Sequence, residues 1–225
     1  TEQTGRPRVL PKWALAPWVD ALYGQQQVLD HAKRYREQKI PSAVVWTEDW
    51  IGAFEDARGY HLNYQWIADK KMYPNIKDMT DKLHAMGFKF FGYFNSFIKE
   101  GYPHWDEGHK KDYVIKDKDG KQLNFPGVFF KTNTLPDLSK PEVVKWIQGF
   151  MRKAIQQGLD GWMADYGEWL PLNTKMHNGQ SGWEAHNTYP VLWQKLNREV
   201  FDQERPKGDY VFFVRSGWTG TGGLA

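Results

Sequence analysis

The sequence predicts an α/β protein of the (β/α)8 TIM-barrel class, with the first five strands of such a barrel inside its 225 residues. Three observations carry that expectation. Short apolar runs alternate with amphipathic stretches, the pattern of parallel strands joined by right-handed helical crossovers. The runs end in carboxylates, aromatic rings or an arginine, at the end of the strands where barrels gather their chemistry. Several of the segments that follow are too long to be simple connectors.

Residues 1–10, with Gly5, Pro7 and two Arg, read as a lead-in segment, and 11–225 as the N-terminal part of one barrel domain. The first strand is expected over Lys12–Trp18, and Tyr23-Gly24 then turns into a helix that runs to about Gln38. The second strand, Ala43–Trp46, ends in Thr47-Glu48-Asp49-Trp50 and opens a mouth loop over about 50–73. Pro74 starts a helix to Gly87 whose apolar positions, Ile76, Met79, Leu83 and Met86, lie on one face. Phe88–Phe94 is the third strand, closed by Asn95-Ser96-Phe97. Residues 100–135 show no helical period and read as a β-rich excursion with a hairpin turn at Asp117-Lys118-Asp119-Gly120.

Ser139 is placed to cap the next helix, with Pro141 and Glu142 in its first turn and its end near Gln157. Gly161–Ala164 is the fourth strand and delivers Asp165; a polar loop over 172–183 leads to a long helix from about Glu184 to Arg205, and Asp209–Arg215 is the fifth strand. A closed barrel takes eight strands over about 250 residues. Five leave an open edge that the remainder of the barrel or another chain is expected to cover.

Composition narrows the function classes. Thirty basic and 27 acidic side chains are interspersed, so nucleic acid is not an expected partner. The absence of cysteine excludes disulfides, thiolate catalysis and zinc–cysteine sites, and leaves the compartment open. No apolar run approaches a membrane span and no basic-then-apolar leader is seen, so a soluble protein is expected, cytoplasmic or periplasmic. Twelve Trp, 11 Tyr and 13 Phe supply amphipathic rings of the kind that suit sugar surfaces, although a large aromatic core accounts for any single one equally well. His177 and His186 do not have the spacing of a metal pair, and no metal ligand set is assigned.

Asp165 is the catalytic candidate because it follows a strand directly and precedes Gly167 and Glu168; a helix cap or a partner for a nearby Arg is the competing account. The words around it, Gly158-Leu-Asp-Gly-Trp-Met-Ala-Asp-Tyr-Gly-Glu-Trp-Leu-Pro171, resemble the nucleophile motif of glycoside hydrolase family 31 in its sulfoquinovosidase branch. His177-Asn178-Gly179, His186-Asn187, Pro190, Leu192-Trp193, Asn197 and Phe212-Phe213-Val214-Arg215-Ser216-Gly217 extend the likeness over most of the chain from about Pro11.

The resemblance implies a retaining α-glycosidase with no cofactor, in which Asp165 attacks the anomeric carbon of a carbohydrate substrate; Glu168, only three residues further on, is read as orienting Asp165 or its loop. It also implies substrate contacts from Arg215, Glu48 and Asp49; Asn95 and Trp162, from their strand-end positions, are read as hydrogen-bonding or stacking on a sugar, with core packing an equal account of the Trp. In the sulfoquinovosidases a Gln, an Arg and a Trp recognise the sulfonate; the same offsets here give Glu48, His61 and Tyr64, which argues against a sulfosugar. The family's acid/base is an Asp downstream of the strand that resembles Phe213–Gly217, so it is expected outside these residues. The alternative class is a non-catalytic carbohydrate-binding or truncated-barrel protein that lacks the acid. Transglycosylation would use the same residues as hydrolysis, and the oligomeric state stays open.

Overall fold

A computed structural model describes residues 4–127 and 131–224. Its frame is one parallel sheet of five strands with helices on its outer side, and among the described residues six short strands decorate the loops. In chain order the elements are β1 Trp18–Asp20, α1 Gln25–Glu37, β2 Val44–Trp46, the hairpin β3 Ala53–Asp56 and β4 Gly59–Leu62, α2 Ile76–Ala85, β5 Lys89–Asn95 and β6 Ile98–Lys99. They continue with α3 Pro103–Lys110, β7 Lys116–Asp117, β8 Asn133–Thr134, α4 Pro141–Gln156, β9 Gly161–Asp165, β10 Thr174–Lys175, α5 Gly182–Ala185, α6 Tyr189–Glu204 and β11 Val211–Val214.

The sheet runs β1-β2-β5-β9-β11, every neighbouring pair parallel, so each strand sits beside the next one of the frame as the helical crossovers require. Alternation sends successive side chains to opposite faces. Val45, Phe90, Phe94, Trp162 and Phe212 face outward and meet the apolar stripes of α1, α2, α4 and α6 in the main core. Val44, Phe91, Val211 and Phe213 face inward with Trp18 and Trp46 in a second, smaller cluster. Each large ring removed from water there contributes about 1.5–3 kcal/mol. Gly161 permits this inner contact: a Cβ on it would stand 2.0 Å from the Val211 carbonyl and 2.4 Å from the Phe91 ring.

The differences from expectation are local. The run Lys12–Trp18 is not a strand: Lys12–Leu15 form a 3₁₀ turn between Pro11 and Pro17, and pairing starts only at Trp18. The mouth loop over 50–73 holds the β3–β4 hairpin, and the excursion over 100–135 holds α3, started by Pro103. The turn at Asp117–Gly120 is present: the Gly120 amide donates to the Asp117 carbonyl. Ser139 does not cap α4; its hydroxyl donates to Asp137, and Lys140 occupies the cap position. The long helix expected from Glu184 is two, because Ser181 and Glu184 close a capping box on α5 and α6 starts anew with Pro190 in its first turn.

Candidate active site

β9 carries Gly161, Met163 and Asp165 on the inner face, and Asp165 sits at the carboxyl end with only 6 % of its surface exposed. Both carboxylate oxygens are held. The Tyr93 hydroxyl, from the inner face of β5, donates to Oδ2 at 2.6 Å. The Tyr166 amide donates to Oδ1 at 2.9 Å, and the Arg215 Nε lies 3.4 Å from the same oxygen. Burial pushes the Asp165 carboxyl above the ordinary carboxylate range; Tyr93, Arg215 and the Tyr166 amide pull it back without overcoming that, and Glu168 adds repulsion. The Arg215 guanidinium at this strand end favours the ionised form, but the net shift is upward.

Arg215 is shared. Its Nε donates to Glu168 Oε1 at 2.9 Å and its second nitrogen bonds the same oxygen, while the guanidinium stacks 4.1 Å from the Tyr166 ring centre. Glu168 therefore reaches Asp165 through Arg215. Tyr166 itself has φ +61° and Tyr64 φ +57°, left-handed conformations that bulky residues rarely adopt. Their hydroxyls are 2.9 Å apart. Two strained tyrosines bonded to each other beside a candidate nucleophile are the kind of outlier that surrounding structure maintains at functional sites.

In front of Asp165 opens a cleft of about 320 Å³, lined among others by Glu48, Arg58, His61, Tyr64 and Tyr93. Glu48 is half-buried, and its carboxyl is pushed up to about 7 by burial and by the negative charges of Asp20, Asp165 and Asp49. His61 Nε2 lies 3.1 Å from Asp56, which Arg58 also grips at 2.6 Å. Asp20, at the end of β1, is raised in turn by burial and by Asp49.

The family model described as "Glycosyl hydrolases family 31 TIM-barrel domain" matches residues 7–225. The chain belongs to glycoside hydrolase family 31. It is 29% identical to the sulfoquinovosidase of Escherichia coli K12 over 98% of this chain and 33% of that protein, and 26% identical to the α-xylosidase XylQ of Lactiplantibacillus pentosus over 96% and 28%. Among solved structures, a family 31 sulfoquinovosidase from E. rectale in complex with an aza-sugar inhibitor superposes with a TM-score of 0.91 at 30% identity, covering 98% of this chain and 33% of that one. The chain thus spans about a third of the relatives it matches, and its five parallel strands belong to the family 31 barrel domain.

Within that family 31 frame the structure brings Asp165, Glu168 and Arg215 into one bonded group and sets Glu48, His61 and Tyr64 around the same cleft. Two other residues expected to touch substrate, Trp162 and Asp49, are placed differently, and Asn95 stands opposite Asp165 on the inner face. Trp162 faces the helices, fully buried, with its Nε1 donating to Asn197 and its ring against Phe94 and Phe201. Asp49 is fully buried and accepts from the Tyr23 amide at 2.7 Å, from Tyr60 at 2.5 Å and from Tyr73. Asn95 is fully buried at the end of β5, where its Oδ1 accepts the Phe97 amide and shapes the turn.

Tyr93, Asp20, Arg58 and Tyr60 went unread in the sequence. Tyr93 was within reach of parity: it stands two residues before Asn95, on the same inner face as Asp165 of the neighbouring strand. Asp20 ends a strand that starts only at Trp18, past the expected Lys12–Trp18 run, and Arg58 and Tyr60 belong to a hairpin inside the expected mouth loop. No helix among the described residues is long and apolar enough to cross a membrane.

Proposed function

We propose that this chain supplies the nucleophile and sugar-binding side of a retaining α-glycosidase site, with Asp165 attacking the anomeric carbon to form a covalent glycosyl-enzyme. The observation that carries this reading is the setting of Asp165 on the cleft: a buried carboxylate at a barrel strand's carboxyl end, both oxygens held by the donors of Tyr93, Tyr166 and Arg215. A nucleophile positioned in this way starts close to its attack geometry, and the held carboxylate needs little reorganisation as the bond forms. Glu168 keeps Arg215 in place.

The sugar is a neutral hexoside in this reading. Relatives include sulfoquinovosidases and α-xylosidases; Glu48, His61 and Tyr64, at the offsets where the resemblance implies Gln, Arg and Trp in the sulfosugar enzymes, border the cleft and support a neutral sugar. Faster hydrolysis of nitrophenyl sulfoquinovoside than of the glucoside or galactoside would overturn that part.

Intact mass spectrometry after incubation with 5-fluoro glycosyl fluorides tests the nucleophile, because fluoride departs with little help from an acid. A stoichiometric adduct on Asp165, absent in Asp165→Ala, is expected from the full-length protein. Folded protein that forms no adduct with glucosyl or galactosyl reagents would instead support a carbohydrate-binding role.

A further inference from the structure

Tyr64 and Tyr166 come from segments 102 positions apart and meet hydroxyl to hydroxyl, at 2.9 Å, beside Asp165. Both stand within two residues of a strand end in left-handed conformations, φ +57° and +61°. A bulky residue keeps such a backbone only where its surroundings fix it. Tyr166 is fixed on three sides: its amide donates to Asp165 Oδ1, its carbonyl accepts the Ser216 hydroxyl at 2.6 Å, and its ring lies under the Arg215 guanidinium. Tyr64 is pinned through its neighbours, since the Asn63 amide donates to the Gly52 carbonyl and the Trp66 Nε1 to the Asn95 carbonyl.

This pose sets Tyr64 against both residues that grip the candidate nucleophile. Its hydroxyl meets that of Tyr166, whose amide holds Oδ1. Its ring lies nearly parallel to that of Tyr93, 6.0 Å centre to centre at 22°, and the Tyr93 hydroxyl holds Oδ2. Phe97 is stacked on Tyr64 as well, and meets the Tyr166 ring edge-on at 4.7 Å. Little of Tyr64 is left for a sugar: 7 % of its surface is exposed, and its hydroxyl is already engaged. Burial raises its phenol, so it brings no charge to the cleft.

We propose that Tyr64 is a positioning residue of this site: it braces Tyr93 and Tyr166 together, and through them sets both oxygens of Asp165 for attack. The inference rests on the glycosidase reading. In that reaction one Asp165 oxygen bonds the anomeric carbon while the leaving group departs with the electron pair of the broken bond, so a small turn of the carboxylate costs rate steeply. The Tyr166 amide meets Oδ1 from a strained turn, and the Tyr64 hydroxyl ties the far end of the same residue to the segment after the β3–β4 hairpin. At the offset where the resemblance implies a sulfonate-reading Trp, this chain thus carries a side chain that acts on the nucleophile.

The test is trapping of the full-length protein with 5-fluoro-α-glucosyl fluoride, followed by intact mass over time at a series of concentrations. The maximal trapping rate and the half-saturating concentration are then read separately. Tyr64→Phe keeps the ring and removes the hydroxyl. Its maximal rate should fall about tenfold while the half-saturating concentration stays within about twofold, the mark of a group that acts on the attack and not on sugar binding. Tyr166→Phe should show the same split, and the double variant should lose no more than either alone. An unchanged maximal rate in Tyr64→Phe, or an unchanged rate with a raised half-saturating concentration, overturns this inference alone, as does a double variant whose losses multiply. If Tyr64→Phe misfolds, Tyr166→Phe decides: a maximal rate equal to the parent's overturns the inference. Folded parent protein that forms no adduct overturns the glycosidase reading, and this inference with it.

Discussion

Asp160 and Asp165 flank one strand, five residues apart, and both are almost completely buried, at 2 % and 6 % exposure. Their chemistry is opposite. At the amino end of β9, burial pushes Asp160 upward, but His84 at 2.6 Å, the Phe90 amide at 3.0 Å and Lys89 bring it below the ordinary carboxylate range, with Arg205 bonded as well. At the carboxyl end Asp165 has two donors and a distant share of Arg215, and it stays raised. Burial is common to both, so the number of partners decides. One end of the strand lowers its carboxyl and the other leaves it raised, the division that the proposed function expects between the stabilising and catalytic faces of a barrel.

The sharpest break in that comparison is the pair Asp165→Asn and Asp160→Asn in the full-length protein. Asp165→Asn should lower kcat by about 10⁴-fold or more, as loss of a nucleophile does, while the urea midpoint stays level or rises. Asp160→Asn should do the reverse. It strands Arg205 and Lys89, and a loss of about 3 kcal/mol is expected, at the low end for a buried pair because its cations are partly solvated. The surviving folded enzyme should keep its kcat. A kcat defect as large as that of Asp165→Asn would show that the two ends are not independent.

Tyr93→Phe comes next in size. It removes one of the hydrogen bonds that oppose the upward shift of Asp165. The nucleophile must be ionised to attack, so a higher carboxyl pKa moves the acid limb of kcat/KM to higher pH, with a fall of about tenfold below that limb. A pH profile that merely drops without moving would assign Tyr93 to geometry alone.

The same strand shows what was legible in the sequence. The alternation of apolar runs and helices, and a carboxylate, glycine and carboxylate after one run, were enough to place Asp165 and Glu168, and Arg215 at the end of a neighbouring strand. Parity was also available: with Asp165 inside, Trp162 is three residues earlier and must face the helices. The rest depended on contacts between distant residues. Nothing local to Asp49 reveals that Tyr23, Tyr60 and Tyr73, from three separate segments, converge on it. The hairpin left a weaker trace, a Gly59 with φ +117° after Asp56-Ala57-Arg58, which reads as a turn only once the alternation on either side is counted.

The smallest effect expected is on stability, and its sign follows from Glu48. Its carboxyl titrates near 7 in the fold against an ordinary value of 4.5, so the folded state binds that proton more tightly than the unfolded chain. The contribution to stability is complete below 4.5 and is lost as the pH rises through 7. Gln cannot ionise, so the gain in melting temperature of Glu48→Gln over the wild type should widen between about pH 5 and about pH 8. Partial exposure keeps the change below about 1 kcal/mol. A gap that narrows over that range would mean that ionised Glu48 has a cation partner in the folded protein, and the negative character assigned to the cleft would go with it.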